Sequence, residues 1–496
     1  MDDLSTVLAE SLRRHSARNA IRIGSVFHTY KELGEAVDQV RIHVRHATGD
    51  QVIGLMAHDH LLTYAAILAL WAEGRAYLPL APGSPIARNE EVLEQAGVRT
   101  VLSCCDDPGL RGATLVRIDG ELPSMEMPVQ HFPGTTPAYL LYTSGSTGKP
   151  KGVPISRAAV SAFVVAFDAL GLDLGPDDRC LQMFELTFDL SVMSYLVPFL
   201  KGACVYTIPR NEIKYTYIHE LLEDQQLTIA LMVPSILNFL RPYFDEIQCP
   251  SLRANLFCGE ALPLDLVDEW QASVPNARIL NVYGPTEHTI FCTSLEYRRQ
   301  GGNKAINGIL AIGKPMEGTT VAIIDGEGNA VPNGIPGELY LAGAQATAGY
   351  WNDPGRNRES FVRIPNLPQD VRYYRTGDRC VQDEDGDLLF QGRVDHQVKV
   401  QGFRVELAEV EHHAKGLLSR RNMVVVAVRN ASGNTELVLV TEGAEANDRE
   451  LVRGLKDILP GYMVPSRVLH MATLPLNANG KIDRPAVAAW AGNSVE

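Results

Sequence analysis

The chain alternates between short apolar runs and longer stretches with the hydrophobic spacing of a helix. That spacing predicts a helix over residues 4–18 and another over LLTYAAILALWAEG (61–74). Uninterrupted apolar runs predict buried strands at VIGLMA (52–57), TVLSC (100–104) and AYLLYTS (138–144). Strands that alternate with helices in this way are typical of α/β layers built on largely parallel sheets.

The pattern changes in the last part of the sequence. Over about 305–394, strands such as GELYLAG (337–343) are separated by Gly, Pro and Asn, which predicts a β-rich subdomain shaped as a distorted barrel. Beyond it, strands around MVVVAV and ELVLVT and a further helix predict a small α+β domain. Because 496 residues exceed what one hydrophobic core usually organises, we expect a large N-terminal domain, 1–394, and a small mobile C-terminal domain, 395–496.

Charge and cysteine content narrow the class of protein. The formal net charge is -14, and an acidic surface argues against a nucleic-acid or anionic-membrane partner. The eight cysteines form no C-x-x-C pair, which is typical of a reduced cytoplasmic protein. The first residues lack the charged-then-apolar run of a signal peptide. We therefore expect a cytoplasmic protein with no nucleic-acid partner and no membrane association.

The segment YTSGSTGKPKGVPIS (142–156) indicates phosphate chemistry. A predicted strand runs into a loop in which small residues let backbone N–H groups approach phosphate oxygens, while hydroxyl and ammonium groups add donors. The loop is not a Walker loop, because Pro150 follows Lys149 where that motif requires Ser or Thr. The residues predicted to bind ATP in this loop are Thr143, Ser144, Gly145, Ser146, Thr147 and Gly148.

This loop and several later segments together resemble the acyl-adenylate-forming superfamily. The other matching segments are LWAEGRAYLPL (70–80), FDLS (188–191), NVYGPTEHTI (281–290), GELYLAGAQATAGYWNDP (337–354), YYRTGDR (373–379), GRVDHQVKVQGFRVELAEVE (392–411) and LPLNANGKIDR (474–484). The resemblance covers nearly the whole chain. It is strongest to amino-acid adenylation enzymes of the nonribosomal peptide synthetase type, such as stand-alone D-alanine–carrier protein ligases and prolyl-carrier protein ligases.

The resemblance implies roles for the polar residues of these segments. Glu287 is expected to bind a Mg²⁺ that bridges ATP phosphates, and Thr286 to hydrogen-bond the α-phosphate. Lys151 is expected to act in catalysis. The remaining residues expected to contact the nucleotide are Tyr283, Gly284, Asp378 and Arg393. Tyr283 is expected to stack on adenine, and Asp378 to accept hydrogen bonds from the ribose hydroxyls.

Two further residues are expected to serve a two-step reaction. Lys481, in NANGKIDR, is expected to bridge the substrate carboxylate and the adenylate oxygens while negative charge builds on the α-phosphorus. Asp395 is expected to be the hinge about which the C-terminal domain rotates after adenylation. That rotation would remove Lys481 and present HQVKVQGFR, with the small residue Gly402, to a thioester-forming step.

Asp189 is the most informative residue for substrate choice. Amino-acid-activating relatives hold the substrate ammonium with an Asp here, and a buried carboxylate itself predicts a cationic partner; the alternative is a simple helix N-cap. The resemblance predicts the other pocket residues to be Leu190, Met193, Leu231, Leu256, Cys258, Val282, Ile290 and Phe291. Because this lining is apolar and partly bulky, we expect a small uncharged amino acid, with alanine first and proline, serine, glycine or valine next. Replacing Cys258 is expected to shift this preference.

The acceptor is expected to be a thiol supplied by a partner. No Gly-Gly-x-Ser pantetheine site follows Lys481, so we expect a separate carrier protein with phosphopantetheine, or free coenzyme A, to act in trans. Two alternatives remain: an acyl- or aryl-CoA ligase on the same fold, which would not need Asp189, and a non-catalytic homologue. The presence of Lys151, Glu287, Asp378 and Lys481 argues against the second.

Overall fold

The structure is a computed structural model. It describes residues 4–46, 49–106, 109–119, 130–145, 148–417, 422–443, 448–477 and 481–494. Ser146 and Thr147, both predicted to bind ATP, lie outside these residues.

The described residues form helices and strands that alternate along much of the chain. The helices are α1 Leu4–Arg14, α2 Tyr30–His46, α3 Leu61–Ala72, α4 Ile86–Ala96, α5 Arg157–Asp168, α6 Leu190–Lys201, α7 Lys214–Glu223, α8 Pro234–Leu240, α9 Leu264–Trp270, α10 Pro354–Ser360, α11 Leu407–Leu417, α12 Asp448–Lys456 and α13 Arg484–Asn493. The first 15 strands are β1 Asn19–Ile23, β2 Val26–Thr29, β3 Val52–Met56, β4 Ala76–Leu80, β5 Thr100–Ser103, β6 Thr114–Arg117, β7 Pro137–Thr143, β8 Lys151–Ser156, β9 Arg179–Gln182, β10 Cys204–Thr207, β11 Ile229–Met232, β12 Ala254–Phe257, β13 Arg278–Tyr283, β14 Thr293–Glu296 and β15 Ala305–Ile306. The remaining strands are β16 Ile309–Leu310, β17 Lys314–Pro315, β18 Thr319–Ile324, β19 Gly337–Gly343, β20 Phe361–Val362, β21 Tyr373–Gln382, β22 Leu388–Arg393, β23 Gln397–Val400, β24 Phe403–Glu406, β25 Met423–Arg429, β26 Thr435–Glu442 and β27 Arg467–Met471.

Two large sheets organise most of the chain before residue 316. One has nine strands in the order β17-β14-β13-β12-β11-β9-β10-β1-β2, and the other has six in the order β6-β5-β3-β4-β7-β8. Their central strands are parallel, and β3, β4, β11 and β12 are buried along their whole length. Parallel strands covered on both faces need continuous apolar runs, which is the pattern that the sequence showed. The predicted α/β fold class is therefore confirmed.

The later strands form smaller, mostly antiparallel sheets. Five of them, β18, β19, β20, β21 and β22, build one sheet around their own hydrophobic clusters, in the region predicted to be β-rich. After residue 396 come the β23–β24 hairpin and a three-stranded sheet, β25-β26-β27, which packs against α11, α12 and α13 through two further clusters. A small C-terminal α+β part thus has an apolar core of its own.

Some predicted element ends differ from the structure. The first helix ends at Arg14 rather than at residue 18, whereas the helix predicted over 61–74 forms as α3, with Gly74 just beyond its end at φ +70°. Ten of the twelve residues of α3 are buried, because it packs between the layers rather than on the surface. Within the described residues, none of the helices combines the length and the apolar character needed to cross a bilayer.

Candidate active site

The candidate site lies where the parallel strands of the nine-stranded sheet end. β13 ends at Tyr283 and leads into the Gly-Pro turn that carries Thr286 and Glu287, while β12 ends just before Cys258. In parallel sheets the carboxyl ends of neighbouring strands meet at one edge, which is the usual place for a ligand. Gly284 is required in the turn, because a Cβ there would collide with the backbone of Phe291.

Glu287 is the centre of a buried ion cluster. Its Oε1 lies 3.0 Å from the Lys151 ammonium and accepts a 2.7 Å hydrogen bond from the Tyr350 hydroxyl. Its Oε2 lies 3.0 Å from Nη1 of Arg404. Burial opposes ionisation, but the charges of Arg404 and Lys151 and the tyrosine hydrogen bond outweigh it and hold the pKa of Glu287 well below its usual range. Glu287 is therefore an anion throughout the physiological pH range.

Lys151 reaches Glu287 from the strand that follows the predicted phosphate-binding loop. It is the first residue of β8 and pairs in register with Thr143 of β7, so the hairpin fixes where its side chain starts. Burial, with the nearby charge of Arg404, lowers the pKa of Lys151 to about 8, although Glu287 opposes the shift. The ammonium also lies 5.0 Å from the centre of the Tyr350 ring. A cation is thus held between the loop and the carboxylate.

Asp378 and Arg393 face each other across β21 and β22. They are register partners, and Nη1 of Arg393 lies 2.8 Å from Oδ1 of Asp378. The Tyr283 hydroxyl donates a 2.5 Å hydrogen bond to the other oxygen, Oδ2. Arg393 also binds both oxygens of Asp395, at 2.7 and 2.6 Å. A cavity of about 300 Å³ is bordered by Tyr283, Asp378 and Arg393. A cavity of this size can enclose part of a small molecule.

Asp189 is buried and incompletely paired. It occupies the N-cap position of α6, but its side chain makes no capping hydrogen bond there. Its Oδ2 has no hydrogen-bond partner among the residues that the structure describes. Burial raises the pKa of Asp189 to about 6, and the Thr286 hydroxyl and the Ile290 N–H only partly offset this. A buried carboxyl of this kind favours a ligand that brings a cation or a hydrogen-bond donor.

A second cavity, of only about 30 Å³, adjoins Asp189. The predicted pocket residues that border it are Asp189, Leu190, Cys258 and Ile290. Val282 borders the larger cavity instead. Four predicted pocket residues are buried in the core and border neither of these two cavities: Met193, Leu231, Leu256 and Phe291. The rings of Phe291 and Phe163 pack edge-on with their centres 4.9 Å apart. The space beside Asp189 holds only a few atoms.

The β23–β24 hairpin lies over this site. Gly402, at its turn, has φ +83° and donates a 2.9 Å hydrogen bond from its N–H to Oε1 of Glu260. Any larger residue there would be strained and would press on the side chain of Val233. The next residue, Phe403, places its ring 5.6 Å from Phe188, beside Asp189. The hairpin thereby closes the small cavity from above.

The described end of the predicted phosphate-binding loop also contacts C-terminal residues. The Ser144 hydroxyl donates a 2.7 Å hydrogen bond to the carbonyl of Arg404. The Gly145 N–H donates to Oε2 of Glu409 at 3.0 Å, and the other oxygen of Glu409 lies 2.8 Å from Arg88. Glu409 is fully buried. A protein carboxylate thus takes an N–H of the loop that was predicted to bind phosphate.

Lys481 is not part of this cluster in the structure. It is exposed, and its backbone N–H donates to Oδ1 of Asn477 at 3.1 Å while its carbonyl accepts from Asn477 N–H at 2.7 Å. Within the described residues, no hydrogen bond or ion pair joins Lys481 to Glu287 or Asp378. Lys481 therefore contacts neither Glu287 nor Asp378 in this arrangement.

Several site residues were not predicted from the sequence, and they are Lys399, Arg404, Glu409, Gln345 and Tyr350. All five lie inside segments that resemble the acyl-adenylate-forming superfamily, so their position in those motifs is the signal that could have identified them. What the motifs did not reveal is which loop each side chain would meet, since the contacts span distant parts of the chain.

Comparison with known proteins identifies the family. A family model described as "AMP-binding enzyme" matches residues 8–351. Tyrocidine synthase 3 of Brevibacillus parabrevis is 32% identical over 497 residues, which cover 97% of this chain but 8% of that protein. The dimodular nonribosomal peptide synthase of Bacillus subtilis (strain 168) is 31% identical over 492 residues, covering 95% of this chain and 20% of that protein.

Solved structures agree with the sequence relatives. The adenylation domain AlmE of Vibrio cholerae, in complex with glycyl-adenosine-5'-phosphate, is 26% identical, with a TM-score of 0.87 over 99% of this chain and 98% of that one. PA1221, a nonribosomal peptide synthetase protein that contains adenylation and PCP domains, has a TM-score of 0.85 at 26% identity over 98% of this chain and 84% of that one.

The chain belongs to the AMP-binding enzyme family. More narrowly, it is an adenylate-forming enzyme of the nonribosomal peptide synthetase type, as the motifs predicted. The chain spans only a small part of the synthetases that it matches, so their complete activities are not carried over to it.

Proposed function

We propose that the protein adenylates a small uncharged α-amino acid with ATP and then transfers the aminoacyl group to the phosphopantetheine thiol of a separate carrier protein. The observation that carries this proposal is Asp189, a buried carboxylate with an unpartnered oxygen among the described residues, beside a cavity of about 30 Å³. A substrate ammonium supplies the missing charge, and only a small side chain fits in the remaining space.

The residues present fit an ATP molecule. The larger cavity offers an aromatic ring at Tyr283 and the carboxylate of Asp378, whose oxygens can also accept from ribose hydroxyls. Thr143 has a buried hydroxyl without a partner among the described residues, in the loop suited to phosphate. Glu287 is an ionised carboxylate at the same place and would hold Mg²⁺ together with the phosphates. Bound Mg²⁺ would neutralise charge on those phosphates.

Among amino acids, alanine and glycine fit best. Leu190, Cys258 and Ile290 are uncharged, and the cations that share this lining, Lys399 and Arg404, would repel a basic side chain. AlmE, whose structure is similar to this one, was solved with a glycyl adenylate, which supports a substrate of this size. Proline, serine and valine follow, because one extra methylene-sized group changes binding by only about 1–3 kcal/mol.

The contacts above the site support two arrangements of the C-terminal part. In the one described, Arg404 pairs with Glu287 and Glu409 takes the N–H of Gly145, so the groups that would meet Mg²⁺ and phosphate are engaged by the protein. Such an arrangement suits a step that follows the departure of pyrophosphate. For adenylation, Lys481 must approach, and a rotation at Asp395 would bring it there.

The acceptor is proposed to be a carrier-bound thiol. PA1221, which carries a PCP domain beside its adenylation domain, supports a carrier protein as the partner. The hairpin that carries Gly402 lies directly over the small cavity, and a glycine at its turn leaves the least bulk beside Val233 and Phe188. A thiol that enters next to this turn would reach the aminoacyl carbon.

Amino-acid-dependent exchange of pyrophosphate into ATP tests the first step. We expect exchange with alanine and glycine from a panel of L- and D-amino acids that includes proline. Propionate and acetate, which lack the amine, should not support exchange. Asp189→Asn, which keeps the shape and removes the charge, should reduce exchange strongly. Exchange supported best by propionate would indicate an acyl-CoA ligase, and best exchange with aromatic or charged amino acids would show that the proposed pocket is wrong.

A further inference from the structure

The turn that follows Glu287 has an unusual backbone. Thr289 and Ile290 have φ angles of +50° and +72°, in the left-handed region. β-Branched residues avoid this region because their Cβ substituents crowd the neighbouring backbone. A conformation of this kind persists only where the surrounding structure imposes it. The contacts around the turn should therefore show which group does so.

Gln345, which follows a strand of the neighbouring sheet, forms hydrogen bonds with this turn. It is fully buried just beyond the end of β19, and its Nε2 donates to the carbonyls of Phe291 at 2.9 Å and Thr289 at 3.1 Å. The carbonyl of His288 is also within reach, at 3.4 Å. In return, the Thr289 hydroxyl donates a 2.5 Å hydrogen bond to the backbone carbonyl of Gln345. The two N–H groups of one amide thus serve carbonyls at three positions of the turn, while its own Oε1 has no hydrogen-bond partner among the described residues.

The conformation that Gln345 holds shapes the cavity beside Asp189. Ile290 borders that cavity, and its N–H faces the Asp189 carboxylate. If Thr289 and Ile290 relaxed to right-handed angles, this N–H would turn away and the Ile290 side chain would leave the cavity wall. Glu287, by contrast, is held separately by Lys151, Arg404 and Tyr350. The effect of Gln345 is therefore directed at the amino-acid side of the site.

We propose that Gln345 is a positioning residue for the amino-acid substrate: it holds the strained turn at 288–291 so that Ile290 and Asp189 together form the substrate cavity. This inference rests on the proposed function, because the amino acid is what the cavity would bind. It adds a residue that touches neither the ATP cavity nor the substrate cavity.

Gln345→Met tests this, since methionine fills a similar volume without the donors. We expect the KM for alanine or glycine in pyrophosphate exchange to rise at least about tenfold, and the KM for ATP to change less than about threefold. Asn255→Ala is the matched control. Asn255 is an equally buried amide that binds the Ala230 carbonyl and the Trp270 indole, away from both cavities, and its loss should leave both KM values unchanged.

Two further variants separate positioning from general damage. Thr289→Val keeps the shape and removes only the hydroxyl bonded to Gln345, and it should raise the amino-acid KM in the same direction even if Gln345→Met does not fold. Adding Thr289→Gly to Gln345→Met should recover much of the amino-acid KM, because glycine adopts a positive φ without strain. Equal rises in both KM values, or no recovery, would overturn the inference while leaving the proposed function intact. Absence of exchange by the native enzyme with every amino acid would overturn both.

Discussion

Arg404 and Glu287 are 117 residues apart in the sequence, yet their side chains meet at 3.0 Å inside the protein. Glu287 is fully buried, so the pair is shielded from solvent. One partner comes from the end of β13 and the other from the hairpin of the C-terminal part. The same carboxylate is proposed to hold Mg²⁺ during adenylation, and it cannot serve both cations in the same way at once. Docking of the hairpin and binding of the metal nucleotide are therefore expected to alternate.

Arg404→Ala should impair the transfer step selectively. Removing one partner of a buried ion pair is costly, and the hairpin would lose its main electrostatic contact with the site. We expect transfer from a supplied aminoacyl-adenylate to a phosphopantetheinylated carrier protein to fall at least about tenfold, with pyrophosphate exchange changed less than about threefold. Arg241→Ala is the control, because this arginine pairs with Glu269 on the surface and should contribute little. A larger loss in exchange than in transfer would contradict the alternation.

Lys481→Ala should have the opposite effect. This lysine is exposed in the described arrangement and is proposed to act only when it reaches the transferring phosphoryl group. Pyrophosphate exchange should fall at least about a hundredfold, while transfer from supplied aminoacyl-adenylate should remain within about threefold of the native rate. Measuring the rates of pyrophosphate exchange and of transfer on the same preparation tests this prediction. Equal losses in both would remove Lys481 from its proposed role.

Asp395→Pro should uncouple the two half-reactions through the backbone. Proline fixes φ and limits rotation at the proposed hinge, so exchange should persist while transfer stops. The substitution also removes the ion pair with Arg393, whose nitrogens lie 2.7 and 2.6 Å from the Asp395 oxygens. Asp395→Ala removes the same pair without restricting φ, and it should retain transfer. If both variants transfer at the native rate, Asp395 is not the hinge.

The pKa of Asp189 predicts how amino-acid binding depends on pH. Burial raises this pKa to about 6, so the carboxylate loses its charge as the pH falls below that value. At saturating ATP, kcat/KM for alanine should reach a plateau near pH 7, below the Lys151 pKa of about 8, and fall about tenfold per unit well below about pH 6. The charged neighbours of Asp189 are Lys399 and Glu287. Burial raises the pKa of Tyr77 and of Tyr139 above the usual tyrosine value, and it raises the pKa of Cys258 to about 12. These last three groups therefore do not titrate near pH 6.

A variant checks the assignment of this titration to Asp189. Asp189→Asn should show low activity without the acid limb of the profile. It should also raise the unfolding temperature at pH 7, because a carboxyl whose pKa is raised on folding destabilises the native state once the pH exceeds that of the unfolded group. An unchanged acid limb in this variant would assign the titration to another group.

Local sequence patterns were sufficient for the fold class and for the local positions of several residues at the candidate site. Continuous apolar runs indicate strands that are covered on both faces, and helical spacing indicates helices with one buried face. The α/β layers therefore follow from patterns that are local in the sequence. Thr143, Lys151, Glu287 and Asp378 stand at strand ends or in hairpins whose geometry is also local. That is why their neighbourhood could be predicted from motifs alone.

Only the tertiary structure decided which distant groups meet. The sequence predicted one pocket, whereas of its residues Leu190, Cys258 and Ile290 border the small cavity beside Asp189 and Val282 borders the larger one. The pairing of Arg404 with Glu287 and of Glu409 with Gly145 likewise depends on how the C-terminal part docks. Such contacts join residues more than a hundred positions apart, and no local pattern encodes their distance. The sequence therefore determined the chemistry available, and the docked fold determined which of it meets at the candidate site.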